Sequence, residues 1–165
     1  MKYFLIFVLL IIQGCNENKG SESKAHLNQG IAFIAALEGS ESKKGFDKLL
    51  KNAEIEFSEA IKLDPSNHIA LMNRGVVYIT MGKLNKAEID LNKSLALSPN
   101  DADTNYNLAC LYSLTNKLDL SLEYLDVALR NGFNDYNRLR EDADLKNLRQ
   151  YEGFKTVLEA NKVFL

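Results

Sequence analysis

Tryptophan is absent from this 165-residue chain, and cysteine, proline and histidine occur only twice each. Two cysteines cannot staple a small disulfide-built scaffold, so the fold has to rest on an apolar core. Hydrophobic residues make up 46% of the chain and charged residues 25%, an ordinary globular composition rather than a disordered one. A dominant charge is missing as well. The formal net charge is −2, and no cluster of Lys and Arg with interleaved aromatics occurs, which argues against nucleic acid as a partner. The longest apolar run, Tyr3 to Ile12, is half of the roughly 20 residues that a membrane-spanning helix needs. Catalytic signatures are lacking too: there is no GxSxG, no HExxH and no glycine-rich phosphate loop. Neither His26 nor His68 has a Cys, Asp or Glu at a recognised ligand spacing, and both read as solvated surface histidines. The acidic run Glu141, Asp142, Asp144 lacks the glycine and the roughly twelve-residue spacing of a calcium loop. It reads as a helix cap on a solvated face. These absences point to a protein that is not an enzyme and that uses no cofactor and no metal.

What is present begins at the N-terminus. Lys2, the apolar run Tyr3 to Ile12 and the Gln13-Gly14 junction form the three parts of an export signal over residues 1–14. Ile12-Gln13-Gly14-Cys15 resembles the lipobox of bacterial lipoproteins, with Gln13 standing where a small residue is usual. The resemblance implies that Cys15 is acylated, becomes the N-terminus once the signal is cut away, and ties the protein to a membrane of the bacterial envelope. Several acyl chains, at about 0.8 kcal/mol per buried methylene, hold far more firmly than one. The other reading is an ordinary cleaved signal with an incidental cysteine, which gives a soluble secreted or periplasmic protein. Asn16, rather than aspartate, after Cys15 favours the outer membrane and its periplasmic side. Residues 15–24 then read as a polar tether without apolar periodicity.

The rest of the chain repeats itself. Asn73-Arg74-Gly75-Val76-Val77-Tyr78 recurs 34 residues later as Asn107-Leu108-Ala109-Cys110-Leu111-Tyr112. Ala87, Leu91 and Ser94 recur as Ser121, Leu125 and Ala128, and Ala53, Phe57 and Ala60 precede them by the same step. Pro99 falls back onto Pro65. Within a unit the apolar spacing is helical: Leu71, Gly75 and Tyr78 form one stripe, and Leu84, Ala87, Leu91, Ser94 and Leu95 a second. Met81-Gly82-Lys83 marks the turn between the two helices. Proline stops the second helix, and Asn67 or Asp101 caps the next first helix. Gly75, Ala109, Ala87 and Ser121 stand where two helices must cross closely. The pattern predicts an all-α solenoid of about three helical hairpins, over residues 25–66, 67–100 and 101–134, in which each unit needs its neighbour to bury its face.

Gly75, Tyr78, Ala87, Leu91 and Pro99 also resemble the signature of the tetratricopeptide repeat. The third unit keeps Ala109, Tyr112, Ser121, Leu125 and Ala128 but has Phe133 where the proline belongs. In the first unit, Asn28-Gln29-Gly30-Ile31-Ala32-Phe33 matches the first-helix pattern, yet Ala53 follows eleven residues later than in the other units. The insertion, around residues 38–48, predicts a mobile loop and then a second helix begun about two turns early. It reads as a tolerated surface insertion or as a partner contact.

Residues 135–165 predict a helical C-terminal cap of two or three short helices. Leu139, Leu145, Leu148, Phe154, Val157 and Leu158 would cover the last hairpin, because a solenoid end needs a cap for solubility. Val163-Phe164-Leu165 reads as a packed end or an exposed tip. The family resemblance implies that first helices line a concave surface. Asn28, Asn73 and Asn107, one per unit, would then form a ladder of amides suited to the backbone of an extended peptide, or else bond locally. Met72, Val76 and Tyr106, with Ile69 and Cys110, would make that groove more apolar than charged. None of these positions carries Lys or Arg, which disfavours the clamp that some relatives use for C-terminal carboxylates. Cys110 is expected buried or lining the groove, without a disulfide partner once Cys15 is acylated. The expected function is a membrane-anchored scaffold that binds a protein or peptide. The alternative is a solenoid that docks edge to edge, with itself or another solenoid, and leaves the groove empty.

Overall fold

The computed structural model describes the backbone of residues 2–40 and 42–164, and the side chains of residues 18–164, Glu41 excepted. The side chains of the expected export signal and of Cys15 lie outside the described residues. Nine helices and one short 3₁₀ turn, with no strand, follow one another among the described residues: α1 (Lys2–Ala35), α2 (Lys43–Leu63), α3 (His68–Thr80), α4 (Leu84–Leu97), α5 (Ala102–Leu114), α6 (Leu118–Arg130), α7 (Tyr136–Glu141), the turn Ala143–Leu145, α8 (Lys146–Arg149) and α9 (Gly153–Ala160). The architecture is the all-α succession of helical hairpins with a helical cap that the periodicity predicts. No helix among the described residues is long and apolar enough to cross a membrane. The chain forms two compact units, Met1–Val77 and Tyr78–Leu165, with the boundary inside α3.

In the first unit α1 and α2 form a hairpin. Leu50, Ala53, Phe57 and Ala60 fall at helical spacing on one face of α2 and are all buried. A Cβ on Gly30 of α1 would stand 2.4 Å from the Phe57 ring, so glycine is what lets the two helices close. One expectation changes here. The polar stretch 15–24 is helix rather than irregular tether, since α1 runs unbroken from Lys2 to Ala35. Its residues lack proline, and Ser23 is fixed by packing: it is 1% exposed, donates to the Ala60 carbonyl (2.9 Å) and accepts from Asn67 Nδ2 (3.2 Å). The insertion runs as expected, a loop followed by an early start of the second helix. Ser42 caps α2 by accepting from Gly45 N (3.1 Å), so the loop stops at residue 42. At 21 residues α2 is seven longer than α4, about two extra turns.

The second unit shows how the repeat is punctuated. Asp101 accepts from Thr104 N (2.7 Å) at the start of α5, as Asn67 accepts from Ala70 N (3.0 Å) at the start of α3. A further 34 residues on, Asp135 accepts from Arg138 N (3.1 Å), so the cap opens as another repeat would. The first helices end alike. Gly82 (φ +70°) and Asn116 (φ +58°) take the left-handed conformation, and the residue after each donates back to the carbonyl of Tyr78 (2.8 Å) or Tyr112 (2.9 Å). Helix α6 ends the same way at Gly132 (φ +96°), with Phe133 N bonded to the Ala128 carbonyl (3.0 Å). At the crossing of α5 and α6, Ser121 Oγ donates to the Ala109 carbonyl at 2.6 Å. Helices α7 to α9 complete the core: Leu139, Leu145, Leu148, Phe154, Leu158 and Val163 pack with Tyr106, Ala109, Cys110, Leu125 and Ala128. Tyr151 donates to Asp119 (2.7 Å) and Asn161 to Asp126 (2.8 Å), fastening α9 to α6. Phe164 stays 83% exposed.

Candidate binding face and the cap that closes it

The first helices share a register. Met72, Asn73 and Val76 of α3 stand 34 residues before Tyr106, Asn107 and Cys110 of α5, and the asparagine alignment puts Leu27, Asn28 and Ile31 of α1 at the same positions. On α1 and α3 these positions are open in part. Asn28 is exposed, Ile31 and Ile69 are each 42% exposed, and Met72, Asn73 and Val76 are half-buried. No side chain in this set is charged. The Asn73 amide donates to the Ile69 carbonyl (2.8 Å) one turn back, the local bond open to an asparagine on a helix.

On α5 the same positions are closed. Every residue from Thr104 to Ser113 is buried, and Tyr106 is fully so. Tyr106 and Asn107, expected on an open groove, are therefore covered, and the covering comes from the cap. The Tyr106 ring stacks on Phe133 (centroids 4.1 Å apart), and the Arg138 guanidinium lies 4.3 Å from its centroid. The Tyr106 hydroxyl donates to Asp142 Oδ2 (2.9 Å), and the Cys110 thiol reaches the same oxygen at 3.9 Å. Arg138 Nη2 donates to Asn107 Oδ1 (3.4 Å), while its Nε lies 3.8 Å from Asp142. Farther along α5, Leu148 N bonds to Ser113 Oγ (3.3 Å) and Asn147 Nδ2 to the Ser113 carbonyl (3.1 Å). The amide of Asn107 thus has a partner within its own chain, and so does the ring of Tyr106.

This enclosure sets the titration of the cluster. Burial pushes the Tyr106 hydroxyl up, Cys110 and the Asp142 carboxylate add to the effect, and Arg138 opposes it. Burial likewise raises the Cys110 thiol, with Asp142 next, so that it stays an unreactive thiol at neutral pH. Tyr112, which donates to Glu88 (3.0 Å), is pushed up to about 12 by burial and then by that carboxylate. Asp144 is raised by burial and by Asp142. The acidic run does form caps, with Asp142 Oδ1 accepting from Asp144 N (3.0 Å). Glu141 is exposed as expected, but Asp142 does not stand on a solvated face, because its other oxygen is turned to Tyr106. His26 also differs from expectation: its Nδ1 is 2.6 Å from Glu56 Oε2, so it bridges α1 and α2 rather than standing free in water.

Sequence reasoning missed Arg138 and Asp142. No periodic pattern leads from α5 to side chains 31 and 36 residues away, and the available signal was Phe133 replacing the proline of the repeat.

Geometry and register define the class: a solenoid of helical hairpins, ended by a packed helical cap. Family models described as tetratricopeptide repeat match residues 68–101 and 91–123. A chloroplastic protein of Arabidopsis thaliana is 31% identical over 91 residues, covering 53% of this chain and 27% of that protein. The chain spans about a quarter or less of the length of the curated relatives it matches. A thermophilic TPR protein of Thermus thermophilus has the same fold, with a TM-score of 0.63 at 24% identity over 84% of this chain and 75% of that one. The first TPR of Spaghetti, solved with the HSP90 peptide SRMEEVD, gives a TM-score of 0.63 at 14% identity over 86% of this chain and 94% of that one.

Proposed function

We propose that this protein is a lipid-anchored interaction module of the bacterial envelope that holds an extended, uncharged peptide segment on the first helices α1 and α3. The observation that carries this reading is the uncharged, partly open set Asn28, Ile31, Ile69, Met72, Asn73 and Val76, at matched register on those two helices. A similar fold was solved with a bound HSP90 peptide, which supports a peptide as the class of partner. That peptide is acidic, whereas the set here offers no cation to pair with carboxylates, so an aliphatic segment fits better. Anchoring rests on the lipobox-like Ile12-Gln13-Gly14-Cys15, and placement on the periplasmic side of the outer membrane on Asn16.

Selection from a displayed library of ten-residue peptides tests the binding face. Uncharged aliphatic sequences are expected, and Met72→Glu with Asn73→Ala should weaken their binding about tenfold or more. Selection of acidic tails, or binding that ignores both substitutions, overturns the assignment. The anchor is tested separately: Cys15→Ala should move the protein from the membrane to the soluble fraction with its helix content unchanged. A second reading is favoured by Phe164, which lines an apolar notch of about 330 Å³ with Phe154, Leu158 and Val163: edge-to-edge docking through the C-terminal end. In that case Phe164→Ser, and not Met72→Glu, would abolish association.

A further inference from the structure

The cap is not held uniformly. Its distal part, the turn Ala143–Leu145 with α8 and α9, buries Leu145, Leu148, Phe154, Leu158 and Val163. Its proximal part, α7, buries one apolar side chain, Leu139, while Tyr136, Asn137, Arg140 and Glu141 are exposed. Two joints set α7 apart. Before it lie Gly132 at φ +96° and the exposed Asn134 and Asp135, and after it Asp142 leaves the helical conformation (φ −58°, ψ 119°). The remaining contacts of this segment are polar. Arg138 reaches Asn107 and the Tyr106 ring, Asp142 reaches Tyr106 and Cys110, and Arg149 Nη1 holds the carbonyls of Asp142 (2.7 Å) and Leu139 (3.5 Å). An open depression lined by Asp135, Asn137, Arg138, Glu141 and Asp142 brings water to this polar lock.

We infer that residues 134–142, centred on α7, form a lid that opens locally on α5 while α8 and α9 stay packed. Opening breaks a few polar contacts and withdraws one leucine, a sub-global event rather than unfolding of the unit. It uncovers the Tyr106 hydroxyl, Asn107 and Cys110, at the α5 counterparts of Met72, Asn73 and Val76, while the Tyr106 ring keeps its stack on Phe133. The lid therefore controls whether the third first-helix presents its register positions to a partner. This consequence rests on the binding reading given above, but the motion itself does not.

The test measures the motion without any peptide. In the full chain carrying Cys15→Ala, Cys110 is the remaining cysteine, and its modification by a soluble maleimide reports the uncovering of α5. The expected rate in native buffer exceeds the one global unfolding permits and depends only weakly on urea, because little surface is exposed on opening. Arg138→Ala should raise that rate about tenfold and lower global stability by no more than the matching ~1.4 kcal/mol, while amide protection at Leu148 persists. Asp142→Asn, which keeps a capping acceptor for Asp144 N, gives an independent second opening of the lock. A thiol that reacts with the urea dependence of global unfolding overturns the lid. So does an unaltered rate in both variants, or the joint loss of protection at Leu148. Since no peptide is present, failure of the peptide selection leaves this outcome untouched, and the reverse also holds.

Discussion

Asp142 and Asp144 stand two residues apart in one turn and behave differently because their neighbours differ. Asp142 accepts from the Tyr106 hydroxyl and from the backbone of Asp144, and it lies near Arg138. The Asp144 carboxyl is raised by burial and by the charge of Asp142, so the folded state disfavours its ionised form. A carboxyl raised on folding leaves stability intact at acid pH, where it is protonated in both states. That stability is lost as the pH rises through its folded titration. Asp144→Asn should therefore raise the urea midpoint at pH 7 and leave it unchanged near pH 3. Equal midpoints at pH 7 would mean that the charge of Asp144 carries no penalty. Tyr112 follows the same rule at the other end of the scale. With its hydroxyl held up to about 12, the stability it contributes is complete below pH 10 and lost as the pH climbs from 10 through 12.

Helix ends were the most legible elements, because few residue types satisfy them. The 34-residue step places Gly82 and Asn116 at one turn, and both adopt positive φ there. A Cβ at Gly82 meets no atom, so the cost of Gly82→Ala is conformational. The left-handed penalty of about 1–2 kcal/mol is offset in part by the stiffer unfolded chain, for a net loss of about 1 kcal/mol. Asn116 already tolerates the conformation, so Asn116→Gly should lie within about 0.5 kcal/mol of neutral. Denaturant midpoints of the pair check that the two turns are equivalent. Other features escaped the pattern for physical reasons. The stretch Asn16 to Lys24 reads as tether from composition, yet Ser23 gains tertiary partners on Ala60 and Asn67 that no local propensity reveals. The asparagine ladder was legible as a sequence register but not as a surface. One amide bonds its own helix and another bonds Arg138, and such partners depend on which segment folds over which helix.

Taken as one molecule, the chain illustrates why a solenoid must end in something other than another open repeat. Each hairpin leaves a face for the next to cover, and here α7 to α9 cover the last one. Leu139, Leu145 and Leu148 are fully buried, and Phe154 and Leu158 nearly so. At about 1.5–3 kcal/mol for each such side chain, they match the whole ~5–15 kcal/mol by which a domain is stable. Removing residues 135–165 would also bare Tyr106, Cys110 and Leu125, which now pack against them. A chain ending at Asn134 should therefore lose the cooperative unfolding of its second unit and bind a hydrophobic dye in native buffer. Phe164→Ser, at a side chain 83% exposed, should change stability by less than about 0.5 kcal/mol. Circular dichroism melts with dye fluorescence separate the two. A truncated chain that melts as cooperatively as the full one would show that α5 and α6 are stable without the cap. The core contributed by Leu139 to Leu158 would then be an addition to the repeats rather than a requirement for them.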